Sequence, residues 1–216
     1  MYTMRSRILE EYKTTLKLTS RQHEALVGLL LGDGHIEQPY ITPRARLKVE
    51  QRIDAKEYVE WLYDIFHNWI RSSIRTRSKF LKSTGKTYES CEFTTFAHEE
   101  LMFYRELFYP TGKKVIPASI HNLLTPLGFA IWFMDDGSIK SHESKGRILN
   151  THSFSKKEVI TLCAVLQSKF NLQAWPRKQK DGIQIYISGK SSKTLQRLLE
   201  PHVIPMMRYK LPLYSR

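Results

Sequence analysis

Leu127-Gly128-Phe129-Ala130-Ile131-Trp132-Phe133-Met134-Asp135-Asp136-Gly137 is an apolar run that stops abruptly on two carboxylates and a glycine. A second stretch ends the same way: Ala25-Leu26-Val27-Gly28-Leu29-Leu30-Leu31-Gly32-Asp33-Gly34. Each is too long and too uniformly apolar for a half-exposed strand, so each is expected to be a buried helix. Pro126 suits the first turn of the second helix, where its missing N–H is not needed. Gly34 and Gly137 are expected to close the helices in the left-handed conformation.

Working outward, other features recur at nearly the separation of Asp33 and Asp136. Arg46-Leu47-Lys48-Val49-Glu50-Gln51 precedes Asp54-Ala55-Lys56-Glu57, and Arg147-Ile148-Leu149-Asn150-Thr151-His152 precedes Ser155-Lys156-Lys157-Glu158. Both four-residue segments read as capping-box helix starts. Lys114-Val115-Ile116-Pro117 and Lys210-Leu211-Pro212 close the two halves alike. The shared order points to a duplicated unit: an N-terminal half at 1–110, a joining segment at 111–122 and a C-terminal half at 123–216.

Between the helices, Arg44, Arg46 and Lys48 alternate with Ala45, Leu47 and Val49, a strand with one cationic and one apolar face. Ile183, Ile185 and Ile187 alternate with Gln184, Tyr186 and Ser188. Ser83-Thr84-Gly85-Lys86 reads as a hairpin turn, and Lys140–Arg147 as a loop. Each half therefore reads helix, two strands, helix, two strands, helix, with Tyr109-Pro110-Thr111-Gly112 as the joint.

The 216 residues carry 34 Lys and Arg against 21 Asp and Glu, a formal charge of +13. That excess favours a polyanionic partner, nucleic acid first. At 41% hydrophobic residues the chain can fill a core. No apolar run is long enough to cross a bilayer, and Met1-Tyr2-Thr3-Met4-Arg5 does not look like a secretory leader. Cys91 and Cys163 sit in no zinc-type cluster, and no GxxxxGK[ST] loop is present.

An Asp at a helix C-terminus faces the negative end of the dipole, unfavourable by about 0.3–1 kcal/mol unless a cation compensates. For one copy a simple capping turn is the plainer reading; two matched copies in a duplicated basic chain favour a site. Gly28, Gly32, Gly128 and Ala130 permit close helix approach. Side by side, the helices would bring both carboxylates to one end, a setting for a hard divalent cation such as Mg2+.

Leu26–Gly34 and Phe129–Gly137, the latter preceded by Leu124-Thr125-Pro126, resemble the paired motifs of the LAGLIDADG homing endonucleases. The likeness is to single-chain, double-motif, organellar intron-encoded members and runs through nearly the whole chain. It is strong at the second motif and looser at the first, where Gly32 replaces an acidic residue. The resemblance implies an α+β fold: a pseudo-twofold duplicated αββαββα architecture with two saddle-shaped antiparallel sheets. It implies a site-specific, Mg2+-dependent double-strand DNA endonuclease that reads a long target through the major groove and leaves 3′ overhangs. Asp33 and Asp136 would be the metal ligands. Lys114 and Lys210 would lie near the scissile phosphates, with Lys113 competing for the first place, and Gln51 and His152 would order water. Arg44, Arg46, Lys48, Arg75, Arg77, Lys79, Arg177, Lys178, Lys180, Gln184 and Tyr186 would face DNA. A monomer with internal pseudo-twofold symmetry and an organellar location, mitochondrion or chloroplast, are implied as well. The alternatives are a maturase of the same family acting on intron RNA, and a non-catalytic DNA-binding protein.

Overall fold

Alternating side chains and apolar helices build two units, each described separately. The computed structural model describes residues 4–39, 42–141 and 143–213. The start of the N-terminal stretch and His142, within the loop read at 140–147, lie outside the described residues. One unit comprises Met1–His23 and Gly34–Leu107; the other comprises Glu24–Asp33 and Phe108–Arg216. The tail of the first motif helix thus clusters with the C-terminal repeat.

The first unit holds α1 (Met4–Thr14), the start of α2 (Ser20–Leu31), β1 (His35–Glu37), β2 (Arg46–Arg52), α3 (Lys56–Ile65), β3 (Arg75–Leu81), β4 (Lys86–Thr94) and most of α4 (Glu99–Phe108). Its sheet runs β1-β2-β4-β3, antiparallel throughout. Ala45, Leu47 and Val49 are buried while Arg44, Arg46 and Lys48 keep access to solvent, as the alternation requires. Trp69, Tyr58, Phe66 and Leu62 fill the core. Gln22 is buried among them with its amide fully used. It donates to the Ile65 carbonyl (2.8 Å) and Asn68 Oδ1 (2.9 Å) and accepts from Trp69 Nε1 (3.2 Å). The hairpin turn forms as expected, with Gly85 at φ 64°.

One helix start departs from expectation. A 3-10 turn over Ile53–Ala55 leads into α3, whose cap residue is Ala55 with no side-chain hydrogen bond. Asp54 falls inside that turn, and its carboxylate accepts from Arg52 Nη2 at 2.8 Å. No capping box forms there.

The second unit holds α5 (Ile120–Leu123), α6 (Pro126–Asp136), β5 (Gly137–Ile139), β6 (Arg147–Leu149), α7 (Lys156–Phe170), β7 (Ala174–Gln179), β8 (Gly182–Ile187) and α8 (Ser192–Leu199). A 3-10 turn over Pro205–Lys210 follows. The sheet order β5-β6-β8-β7 repeats that of the first unit. Thr125 caps α6 by accepting from Gly128 N–H at 3.2 Å, and Pro126 occupies its first turn. Leu127–Met134 are all buried. Ser155 and Glu158 form a complete capping box on α7.

Gly137 is not left-handed: its φ is −71°, and Gly34 is likewise absent from the positive-φ glycines. The helix runs straight into β5 instead. Glycine is required there because a Cβ would collide with the Phe133 carbonyl and ring. Among the described residues no helix is long and apolar enough to cross a membrane.

Candidate active site

Within the second unit, the end of α2 lies against α6 at a spacing only glycine permits. A Cβ on Gly28 would overlap the Gly128 carbonyl, and one on Gly128 would come within 2.9 Å of the Glu24 carbonyl. One turn later, a Cβ on Gly32 would occupy the space taken by the Asp135 carboxylate. Gly32, the residue that departs from the acidic pattern of the motif, leaves room for the carboxylate of the other motif. Thr125 Oγ1 donates to Glu24 Oε2 at 2.7 Å and ties the two helices at the opposite end.

This contact gathers the carboxylates. Asp135 Oδ2 accepts from the Asp33 backbone N–H at 3.1 Å. Trp132 Nε1, one helical turn back, donates to Asp136 Oδ2 at 3.2 Å. The Asp136 carbonyl accepts both the backbone N–H and the Nδ2 of Asn150, each at 3.1 Å. Burial pushes the Asp136 carboxyl up to about 7, and the neighbouring charge of Asp33 pushes the same way. The ammonium groups of Lys114 and Lys210 and the Trp132 hydrogen bond act in the opposite direction, and burial outweighs them.

Both lysines sit on helix ends. Lys114 Nζ donates to the Gly32 carbonyl at 2.8 Å, and Lys210 Nζ donates to the carbonyls of Met134 and Asp135. Cations there complement the negative end of each helix. Burial lowers the pKa of both, against the nearby carboxylates, which favour the charged form. The donor set is all oxygen, which fits a hard divalent cation. Among the described residues no group of three or more His, Cys, Asp or Glu converges to hold a metal. A hard divalent cation such as magnesium is commonly held by only one or two protein carboxylates, with water completing its shell.

The strand register revises one pairing read from sequence. Ile36 and Ile139 each lie three residues beyond their motif Asp; Ile36 pairs with Leu47 and Ile139 with Arg147. Leu47 thus corresponds to Arg147, Glu50 to Asn150 and Gln51 to Thr151, one residue off the sequence reading. Gln51 shares its strand face with Leu47 and Val49. His152 is exposed in the turn after β6, beside Gly182. Asn150, which the sequence reading passed over, holds the Asp136 backbone. Asp135, adjacent to Asp136 in the sequence, joins the site through the bond its carboxylate accepts from the Asp33 N–H.

The cations assigned to DNA divide by sheet. On the first sheet Arg46, Lys48, Arg75, Arg77 and Lys79 share one face, by register. Arg46 pairs with Glu37 (2.7 Å), Lys48 with Glu50 (2.8 Å) and Glu92 (3.2 Å), and Arg77 with Glu92 (2.7 Å). Arg44 precedes the strand and pairs with Glu10 at 2.9 Å. On the second sheet Arg177, Gln184 and Tyr186 share a face, with Trp175 packed on Tyr186 and the Lys140 ammonium over the Tyr186 ring. Gln184 Nε2 donates to Asn150 Oδ1 at 2.8 Å. Lys178 pairs with Ile183 and faces the other side of the sheet, because successive strand residues alternate. Lys180 lies in the following turn.

Comparison with known proteins shows the family and the fold. Probable intron-encoded endonuclease 1 of Wickerhamomyces canadensis is 31% identical over 214 residues, 95% of this chain and 90% of the relative. Cytochrome b mRNA maturase bI2 of Debaryomyces hansenii is 30% identical over 195 residues, 88% of this chain and 73% of the relative. The solved structure of the homing endonuclease I-WcaI bound to its DNA recognition sequence matches with a TM-score of 0.92 at 28% identity, covering 100% of this chain and 96% of that one. The α+β architecture of two four-stranded antiparallel sheets is therefore that of the homing endonucleases. Residues 23–195 match the LAGLIDADG DNA endonuclease family, and the chain belongs to it.

Proposed function

We propose that this protein is a homing endonuclease: a monomeric, site-specific enzyme that hydrolyses both strands of duplex DNA with a divalent cation, magnesium in the first instance. The observation that carries the reading is the meeting of the two motif ends, where Gly32 makes room for the Asp135 carboxylate and that carboxylate accepts the Asp33 backbone N–H at 3.1 Å. Asp33 and Asp136 would hold the cation. When bound, it supplies charge to the scissile phosphate, eases ionisation of the attacking water and stabilises the departing 3′ oxygen.

The chain's own groups do the rest. Lys114 and Lys210, each held on a helix-end carbonyl, put positive charge beside the phosphates, one lysine for each strand. Gly32 lets the Asp135 carboxylate receive the Asp33 N–H, which fixes the backbone that carries Asp33. Asn150 does the same for Asp136. Gln51 and His152 remain candidates for ordering water. Arg44, Arg46, Lys48, Arg75, Arg77, Lys79, Arg177, Gln184 and Tyr186 would contact DNA in the major groove, with Lys178 and Lys180 reaching the phosphate backbone. The products would carry 3′ overhangs, and an organellar intron is the proposed genetic setting.

The test is incubation with a randomised duplex library in magnesium or in EDTA, followed by sequencing of the cut ends. One long recurring target with 3′ overhangs is expected in magnesium and none in EDTA; cutting in EDTA contradicts the reading. A second reading, assistance to splicing of intron RNA, is favoured by the relative named as a maturase. It predicts RNA-splicing activity that survives Asp136→Asn.

A further inference from the structure

Lys114 and Lys210 have matching places in the two repeats, yet each is held by a different side chain. We propose that Arg147 and Glu158 are positioning residues for cleavage, Arg147 for Lys210 and Glu158 for Lys114. The proposal rests on the endonuclease reading above.

Arg147 stands at the strand position where the other repeat has the core residue Leu47, and it is 5% exposed. A guanidinium is tolerated there only if its donors are used. Nε donates to the Lys210 carbonyl and Nη2 to the Leu211 carbonyl, both at 2.6 Å. Nη1 donates to the carbonyls of Gly146 (3.0 Å) and Ser144 (3.3 Å). All four acceptors are main-chain oxygens, so the arginine clamps backbone. Two of them belong to Lys210 and the residue after it. The clamp fixes the Cα from which the Lys210 ammonium reaches the end of α6.

Glu158 does the corresponding work by another route. Its Oε2 accepts from the Ser155 N–H (2.8 Å) and hydroxyl (2.6 Å) in the capping box. Its Oε1 accepts from the Ile116 N–H at 2.8 Å. One carboxylate thus joins the start of α7 to the segment carrying Lys114. Val115 N–H, bound to the Phe108 carbonyl at 2.8 Å, holds the same segment from the other side. The two supports share no hydrogen-bond partner, so loss of either should disturb one lysine and leave the other.

The experiment is strand-resolved cleavage of a supercoiled plasmid bearing the target, with DNA affinity and thermal melting measured on the same samples. Lys210→Met and Lys114→Met identify the strand each lysine serves. Arg147→Gln should slow the Lys210 strand at least about tenfold more than the other and accumulate nicked circles, with affinity changed less than about threefold. Arg147→Lys should recover part of the rate. Glu158→Gln should slow the Lys114 strand in the same selective way. Equal slowing of both strands by a folded Arg147 variant overturns the proposal, as does a deficit in the Lys114 strand. If Arg147→Gln does not fold, Glu158→Gln decides: an unchanged strand ratio overturns it. A wild-type protein that cuts nothing, or lysine variants without strand preference, would instead remove the endonuclease reading or the lysine assignment.

Discussion

The two motif helices end on the same Asp-Gly pair and treat it differently. Asp33 is exposed, preceded by a glycine, and its backbone N–H is taken by Asp135. Asp136 is partly buried, preceded by Asp135, and its carboxylate is held by Trp132. The difference continues along the sheets. The polar face of the first is laced with ion pairs, whereas the second presents Trp175, Tyr186 and Lys140 stacked together. Duplication conserved the backbone order, and side-chain surroundings diverged around it.

If the shared chemistry outranks that divergence, either aspartate should be indispensable. Asp33→Asn and Asp136→Asn are each expected to reduce double-strand cleavage by at least about a thousandfold, judged by plasmid linearisation in magnesium, while gel-shift affinity stays nearly unchanged. A variant that still linearises DNA would mean that one repeat suffices.

The close helix contact should be the next most sensitive feature. Gly28→Ala drives a methyl into the Gly128 carbonyl and is expected to cost about 1–3 kcal/mol in urea unfolding. The collision is with backbone, which cannot rotate away.

The unequal burial of the carboxylates predicts a pH signature for Asp136. Its folded pKa, about 7, stands above its ordinary 3.8, so the folded state holds the proton more tightly than the unfolded chain. The resulting stability is fully present below the ordinary value and is lost as pH rises through about 7. Metal-free protein should therefore melt a few degrees lower at alkaline than at mildly acidic pH. Asp136→Asn should flatten that slope, and divalent cation should raise the alkaline end. An unchanged slope in the variant assigns the effect to another group.

The helix starts of α3 and α7 give the smallest contrast. Ser155→Ala should cost about 1 kcal/mol, whereas Asp54→Ala, which removes only an exposed pair with Arg52, should cost less than about 0.5 kcal/mol by chemical denaturation.

The sequence made the helices, the succession of helices and strands along the chain and the duplication legible, because apolar runs and period-two alternation carry those directly; the order of strands within each sheet came from the structure. Asp33 and Asp136 stood out because they interrupt apolar helices at matching places. Register was harder to read. The loops between motif and strand differ in length between repeats, so Arg147 looked like the counterpart of Arg46 and was in fact that of Leu47. The same slip drew attention to His152 and away from Asn150. Arg177-Lys178-Gln179-Lys180 put cations at both strand parities, and only the pairing with β8 shows that Lys178 faces away from Arg177. Asp54 and Glu57 had the right spacing for a cap, but the 3-10 turn before α3 moved the helix start past Asp54.

A crystal structure of the protein with its target duplex and manganese, located by anomalous scattering, examines the meeting of the two motif ends at atomic level. The account predicts a manganese ion coordinated by oxygens of Asp33 and Asp136 together, beside a scissile phosphate. Manganese bound to each carboxylate in a separate shell, or to neither, would contradict it.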